Sequence, residues 1–133
     1  MSDIPQSVSL AALPAVKQPL ADGLFGGVIT LADGRHVAVV WLDKATPPKR
    51  QDVDAQRAWA AEQGAQLITR AMGPLLVSTL GDLLPQTWVW TSEDCDFDSA
   101  YAWHCYLNYG NVTFTGRSAK GGAVAVRLIP LTS

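Results

Sequence analysis

The chain reads as an α+β domain, with a hairpin first, two helices in the middle and an antiparallel sheet at the end. Three observations predict this. Residues 27–42 carry β-branched and apolar side chains on both sides of an Asp33-Gly34 pair, the pattern of two strands joined by a tight turn. Residues 52–63 place apolar side chains at helical spacing between a capping Asp and a Gly. From Thr87 onward the chain is rich in β-branched and aromatic residues, punctuated by Gly110, Gly116, Gly121 and Gly122.

Each element follows in order. Residues 1–23 hold Pro5, Pro14 and Pro19, which bar a continuous helix. This stretch is either an extended arm on the domain or on a neighbouring subunit, or a tail without fixed structure. The domain then occupies 24–133. In the hairpin, Asp33-Gly34 supplies the positive φ angles of a two-residue turn, and 28–31 pairs with 36–42. Thr46-Pro-Pro-Lys-Arg50 is a loop. The first helix starts at Gln51 or Asp52 and stops at Gly64. Val53, Ala55, Ala58, Trp59 and Glu62 mark its repeat, with Trp59 as the core anchor. Residues 66–70 form an extended link. A second helix spans 71–80, with Pro74 near its first turn, where a missing N–H costs least. Met72, Leu75, Leu76 and Leu80 face inward. Strands follow over 87–91, 101–109, 112–115 and 123–131. The last joins the hairpin sheet, because Val124, Val126 and Leu128 need a buried face.

The segment Tyr101-Ala-Trp-His-Cys-Tyr-Leu-Asn-Tyr109 carries the strongest functional signal. Read with period two, Tyr101, Trp103, Cys105, Leu107 and Tyr109 make an apolar face suited to a core. Ala102, His104, Tyr106 and Asn108 make a mixed face. Rigid aromatics and amides on such a face give contact area and hydrogen bonds at low entropy cost. Asn111-Val-Thr-Phe-Thr115 alternates in the same way. The candidate ligand contacts are His104, Tyr106, Asn108, Asn111, Thr113, Thr115 and Arg117.

Composition narrows the function classes. A chain of 133 residues suits one domain, and 48% hydrophobic residues with five Trp suit a packed core. A net charge of −2 offers no electrostatic case for nucleic acid. No apolar run reaches the roughly 18 residues that span a bilayer. Residues 8–16 are apolar, but Asp3 precedes them and no Lys or Arg does, so a secretory signal is not expected. Two cysteines make no disulfide framework.

Catalytic and metal patterns are incomplete. Asp94-x-Asp96-x-Asp98 begins like a calcium loop. Ser99 stands where the sharp-turn Gly belongs, and Cys105 where the bidentate Glu belongs. With Glu93, these residues read as a solvated acidic loop. His104 and Cys105 are adjacent on a strand and point to opposite faces, so they do not share a zinc with Cys95. Cys105 reads as a core residue and Cys95 as a loop thiol, with a Cys95–Cys105 disulfide left open. His36 and His104 lack a nucleophile motif beside them. Arg70 and Arg127 read as structural arginines rather than ligand clamps. Trp41, Trp88 and Trp90 read as core, with one exposed stacking platform left open. No enzyme, metal or cofactor is expected.

Trp59, Leu67-Ile-Thr-Arg70, Trp88-Val-Trp-Thr-Ser-Glu93, Ala100-Tyr-Ala-Trp103, Tyr109-Gly110 and Ala123-Val-Ala-Val-Arg-Leu-Ile129 form a spaced set. Over residues 25–131 this set resembles the phage- and bacterium-associated domains related to the C-terminal domain of collagen-like adhesins. Those domains share the C-type lectin-like fold. Ile68 departs from the family, which has Pro before Thr-Arg. The resemblance implies ligand display, as in phage receptor-binding tips and the variable proteins of diversity-generating retroelements, whose variable positions match about 94–120 here. Formylglycine-generating enzymes share the broad fold, but their cysteine arrangement has no counterpart. The chain also lacks the Glu-Pro-Asn and Trp-Asn-Asp motifs of calcium-dependent sugar-binding lectins. Three functions follow as expectations. The first is a non-enzymatic phage or prophage module that binds a host surface receptor, glycan or protein. The second is a virion decoration or tail component, homo-oligomeric or built into the particle. The third is a small effector that binds a host protein. All three imply synthesis in the host cytoplasm, and the second implies association with the virion.

Overall fold

The computed structural model describes residues 5–132, and its architecture is α+β with two sheets and two helices. Strand β1 is Val8–Ser9, β2 Pro19–Leu20, β3 Gly23–Thr30 and β4 His36–Trp41. Helix α1 is Val53–Glu62, strand β5 Gln66–Leu67 and helix α2 Met72–Leu80. Strands β6 (Trp88–Asp94), β7 (Tyr101–Tyr106), β8 (Val112–Gly116) and β9 (Ala125–Thr132) complete the chain. Residues 1–4 of the expected arm lie outside the described residues.

The larger sheet runs β1-β9-β4-β3-β2, with β5 also pairing β9. As expected, β4 pairs antiparallel with β3 and the last strand joins their sheet; it does so by pairing antiparallel with β4. Near the N-terminus, β1 adds in parallel to β9, so strands from both ends of the chain share one sheet. The smaller sheet is an antiparallel meander, β6-β7-β8.

Strand β4 is buried on both faces from Val37 to Trp41, and β9 at Ala125 and Val126, which explains their apolar runs. One core joins Val40 and Ile129 to Val53, Trp59 and Ala60 of α1 and to Trp90. The other joins Val39 and Val126 to Met72, Leu76 and Leu80 of α2 and to Cys105. The sheet thus sits between two apolar layers, each anchored by one helix.

Two local expectations need correction. The hairpin loop has three residues rather than two. The Leu31 N–H donates to Arg35 O at 2.8 Å, the Gly34 N–H donates to Leu31 O at 2.9 Å, and of the Asp33-Gly34 pair Gly34 alone has positive φ, at 89°. This is a type I turn closed by a left-handed glycine. The Asp33 carboxylate accepts from the Arg35 backbone N–H at 3.0 Å and pairs with its guanidinium at 2.8 Å, holding Asp33 out of the left-handed region. In α1, the Asp52 carboxylate caps the helix by accepting from the Ala55 N–H at 2.8 Å. Its buried stripe is Val53, Gln56, Trp59 and Ala60, and Ala58 faces solvent. A polar residue therefore occupies a core position. No described helix is long and apolar enough to cross a membrane.

Candidate functional site

The two faces of β7 are divided differently from the period-two reading. His104 is only 4% exposed, and Ala102 is buried beside it. The imidazole lies 4.6 Å from the Trp88 ring, 6.1 Å from Trp90 and 5.3 Å from Tyr106, centroid to centroid. Neither ring nitrogen meets a hydrogen-bond partner among the described residues, and burial pushes the imidazole pKa down. Gly121 lies against this cluster: a Cβ there would stand 2.3 Å from the Trp88 ring, so only glycine permits the approach. His104 is therefore packed inside an aromatic cluster and is not a surface contact.

The other expected contacts remain toward solvent in part. Tyr106, Asn108, Asn111 and Thr113 are exposed, while Thr115 and Arg117 are half-buried. Arg117 is already engaged, pairing with Asp94 and, at 2.6 Å, with Asp54. Arg57 also reaches Asp94, at 2.9 Å. Burial opposes ionisation of Asp94, but hydrogen bonds from Arg57 and Arg117 outweigh it and hold the carboxyl below its usual range. These pairs tie α1 to the end of β6 and to the exit of β8.

The opposite face of the small sheet is exposed at its Tyr101 end, while Cys105 and Leu107 on the same face are buried. Tyr101, Trp103 and Phe114, expected on a core face, form an aromatic surface there together with Phe97. Phe97 is 59% exposed, Phe114 42% and Tyr101 36%, with Trp103 half-buried among them. Their rings meet edge to face: Phe97–Phe114 at 5.0 Å, Tyr101–Phe114 at 5.6 Å and Trp103–Phe114 at 5.5 Å. The cause lies in where α2 ends its cover. Gly73 of α2 packs on Cys105, whose thiol burial pushes up to about 11. Tyr101 lies four residues back along β7, roughly 13 Å away, beyond the reach of the helix. Between them the Arg70 guanidinium spans the Trp103 ring at 4.6 Å and pairs with Glu93 at 3.2 Å. Beside Trp103 opens a groove of about 620 Å³, lined by Ile29, Leu31, Thr69, Arg70, Glu93 and Val112 among others.

The remaining candidates fall into structural places. Arg127 makes a two-point pair with Asp22 at 3.0 and 2.7 Å and donates to Gly64 O at 2.8 Å. Those hydrogen bonds hold the Asp22 carboxyl below its usual range. Trp41 and Trp90 are buried, and Trp88 is half-buried under the Arg50 guanidinium at 5.0 Å. Cys95 and Cys105 are buried free thiols. Among the described residues no group of three His, Cys, Asp or Glu is arranged to hold a metal ion.

Sequence reasoning missed Phe97, Trp103 and Phe114 as surface residues. Phe97 was hidden among carboxylates, and Phe114 alternated with Val112 as if for a core. The turn after Tyr106 carried the signal for which residues share a face, but not for which face is exposed. A four-residue loop from Leu107 to Gly110 sets Tyr106 opposite Asn111, which places Phe114 directly across from Trp103. Compared with known proteins, the chain matches no family model and no curated protein sequence.

Proposed function

We propose that this chain is a non-catalytic binding module of C-type lectin-like build, of the phage or prophage type that its sequence resembles. It displays a face for a surface receptor, glycan or protein on its late strands and loops. The observation that carries this reading is the exposed aromatic surface of Phe97, Tyr101, Trp103 and Phe114. A contiguous exposed aromatic patch costs solubility and marks interaction sites, and aromatic anchors concentrate interface energy. The order of hairpin, two helices and late antiparallel strands, with strands near both chain ends in one sheet, supports the lectin-like part. The same patch favours a second reading, in which the surface is a subunit contact of a virion component.

The test is capture of host-surface glycans and proteins by the wild-type chain and by two variants. Phe97→Ala with Tyr101→Ser should weaken capture at least about tenfold, or roughly 1.4 kcal/mol, with the melting temperature nearly constant. Tyr106→Ala with Asn108→Ala, on the other expected contacts, serves as the comparison. Loss of capture only in the second variant would move the site to the face first read from the sequence. Self-assembly of the wild type that the first variant abolishes would favour the virion reading.

A further inference from the structure

We propose that the free edge of β8 takes up an extended, basic segment of a protein partner by strand addition. The inference rests on the binding-face reading above and names the class of partner.

The backbone supplies the first part of the argument. The Tyr106 N–H donates to Asn111 O at 2.8 Å, and the Arg117 N–H donates to Ala100 O at 3.0 Å. In an antiparallel pair the hydrogen-bonded positions alternate, so Asn111, Thr113, Thr115 and Arg117 turn their backbone groups toward β7. The N–H and C=O of Val112 and Phe114 therefore point away from the sheet, and no described group takes them. The far side of β6 is closed, with the Trp90 N–H on Gly122 O at 3.0 Å and the Ser92 N–H on Ile68 O at 2.9 Å. That leaves β8 as the open edge of the small sheet.

Open edges are ordinarily guarded by Lys, Pro, bulges or inward charges, because they otherwise pair with any strand they meet. The β8 sequence Val-Thr-Phe-Thr-Gly has none of these, and its pairing with β7 is free of register shifts. It is instead a good strand former, with Phe114 in the aromatic surface and Val112 at the border of the groove beside Trp103. An added strand would place alternate side chains beside Val112 and Phe114.

Charge decides which side chains suit that position. Asp96 and Asp98 flank Phe97, are exposed, and pair with no described cation. The Asp98 carboxylate accepts only from the Ala100 N–H, at 2.9 Å. The neighbouring Glu93 and Asp94 are already neutralised by Arg70, Arg57 and Arg117. Bare aromatic rings beside unpaired carboxylates attract Lys or Arg by cation–π and ionic contact together. An acidic strand would be repelled, and a neutral one would leave both carboxylates unused.

The experiment uses fluorescence anisotropy on the full chain with an alternating Lys-Thr peptide of about eight residues, matching a typical strand. Saturable binding is expected. Full N-methylation of the peptide, which keeps its charge but removes its backbone donors, should weaken binding at least tenfold. An alternating Glu-Thr peptide should not bind. Asp96→Asn with Asp98→Asn, both on an exposed loop, should weaken binding at least fivefold. Val112→Pro removes a donor on the free edge only and should do the same if it folds. Absence of Lys-Thr binding, or equal binding of the N-methylated peptide, would overturn strand addition. So would a dimer in analytical ultracentrifugation that Val112→Pro dissolves, since it would assign the edge to a second copy. If the peptide fails while Phe97→Ala with Tyr101→Ser still abolishes capture of host-surface material, strand addition falls and the binding-face reading stands. If that variant also leaves capture intact, both fall.

Discussion

Gln56→Leu should lower the free energy of unfolding by about 2–3 kcal/mol, although Gln56 touches no proposed ligand. Gln56 is fully buried on α1. Its Nε2 donates to Lys49 O at 3.0 Å and to Gly121 O at 2.8 Å, and its Oε1 accepts from Gln51 Nε2 at 3.1 Å. Leu nearly fills the same space and makes none of these bonds. Three hydrogen bonds at about 1 kcal/mol each set the upper end. The lower end reflects two partners that recover. Gly121 O keeps the Gln51 backbone N–H at 3.0 Å, and the half-buried Gln51 side chain can turn to water. Lys49 O loses the one side-chain donor that reaches it. For a chain of this length the loss corresponds to a melting temperature lower by about 7–11 °C. Urea melts followed by tryptophan fluorescence measure it, with an unchanged denaturant slope. Gln56→Ala should cost about 1–2 kcal/mol more, from the cavity it leaves. A Gln56→Leu loss below about 0.5 kcal/mol would refute the reasoning, because surface substitutions already vary that much.

Trp59→Ala should destabilise by about 3–5 kcal/mol in the same melts, from lost apolar transfer and the cavity between α1 and the sheet. A loss under about 1 kcal/mol would place Trp59 outside the core. Calcium followed by EDTA should leave the melting temperature unchanged, because Arg57 and Arg117 already hold Asp94 and Arg70 holds Glu93; a chelator-reversible rise would contradict this. His104 should make the fold acid-sensitive. Its folded pKa lies below the ordinary value, so the unfolded chain binds a proton that the folded chain refuses. Stability is then full above about pH 6.5 and falls as pH drops, by up to about 1.4 kcal/mol per unit until the folded group titrates. His104→Phe should flatten that slope below about pH 6.5, and an unchanged slope would remove His104 as its source.

What the sequence made legible was local. The α1 cap is written in Asp52, three residues ahead of the N–H it binds, and the β-rich stretches show in side-chain type alone. Register within the hairpin was one residue less legible, because it turns on a side-chain bond from Asp33 to Arg35. The face assignment of β7 was not legible, and the reason is general. Alternation says which side chains share a side, but not which side another element will cover. That depends on where α2 stops, on Arg70 stretching over Trp103, and on the chain around Gly121 packing on Trp88 and Trp90, which cover His104. Gln56 escaped notice for a related reason. Its partners Lys49 and Gly121 are backbone carbonyls, and a carbonyl leaves no mark in a residue pattern.

The placement of the ion pairs bears on why an aromatic surface can be exposed here without loosening the sheet beneath it. A three-stranded sheet whose one face is bare beyond the end of α2 has little apolar burial to hold its outer strands there. In this chain charged side chains take part of that task. Arg57 and Asp54 of α1 grip Asp94 at the end of β6 and Arg117 just past β8, while Arg70 grips Glu93 and covers Trp103. Each exposed pair contributes only a fraction of a kcal/mol alone, but Asp94 is shared by two arginines and the pairs act as a network. A surface held rigid in this way loses less side-chain and loop entropy when a partner docks. The argument also separates the two sets of substitutions. Changes at Phe97 or Tyr101 should alter binding and leave the fold intact. Arg117→Ala, once a candidate contact, should instead loosen the end of β8 and weaken binding only through that loss of order.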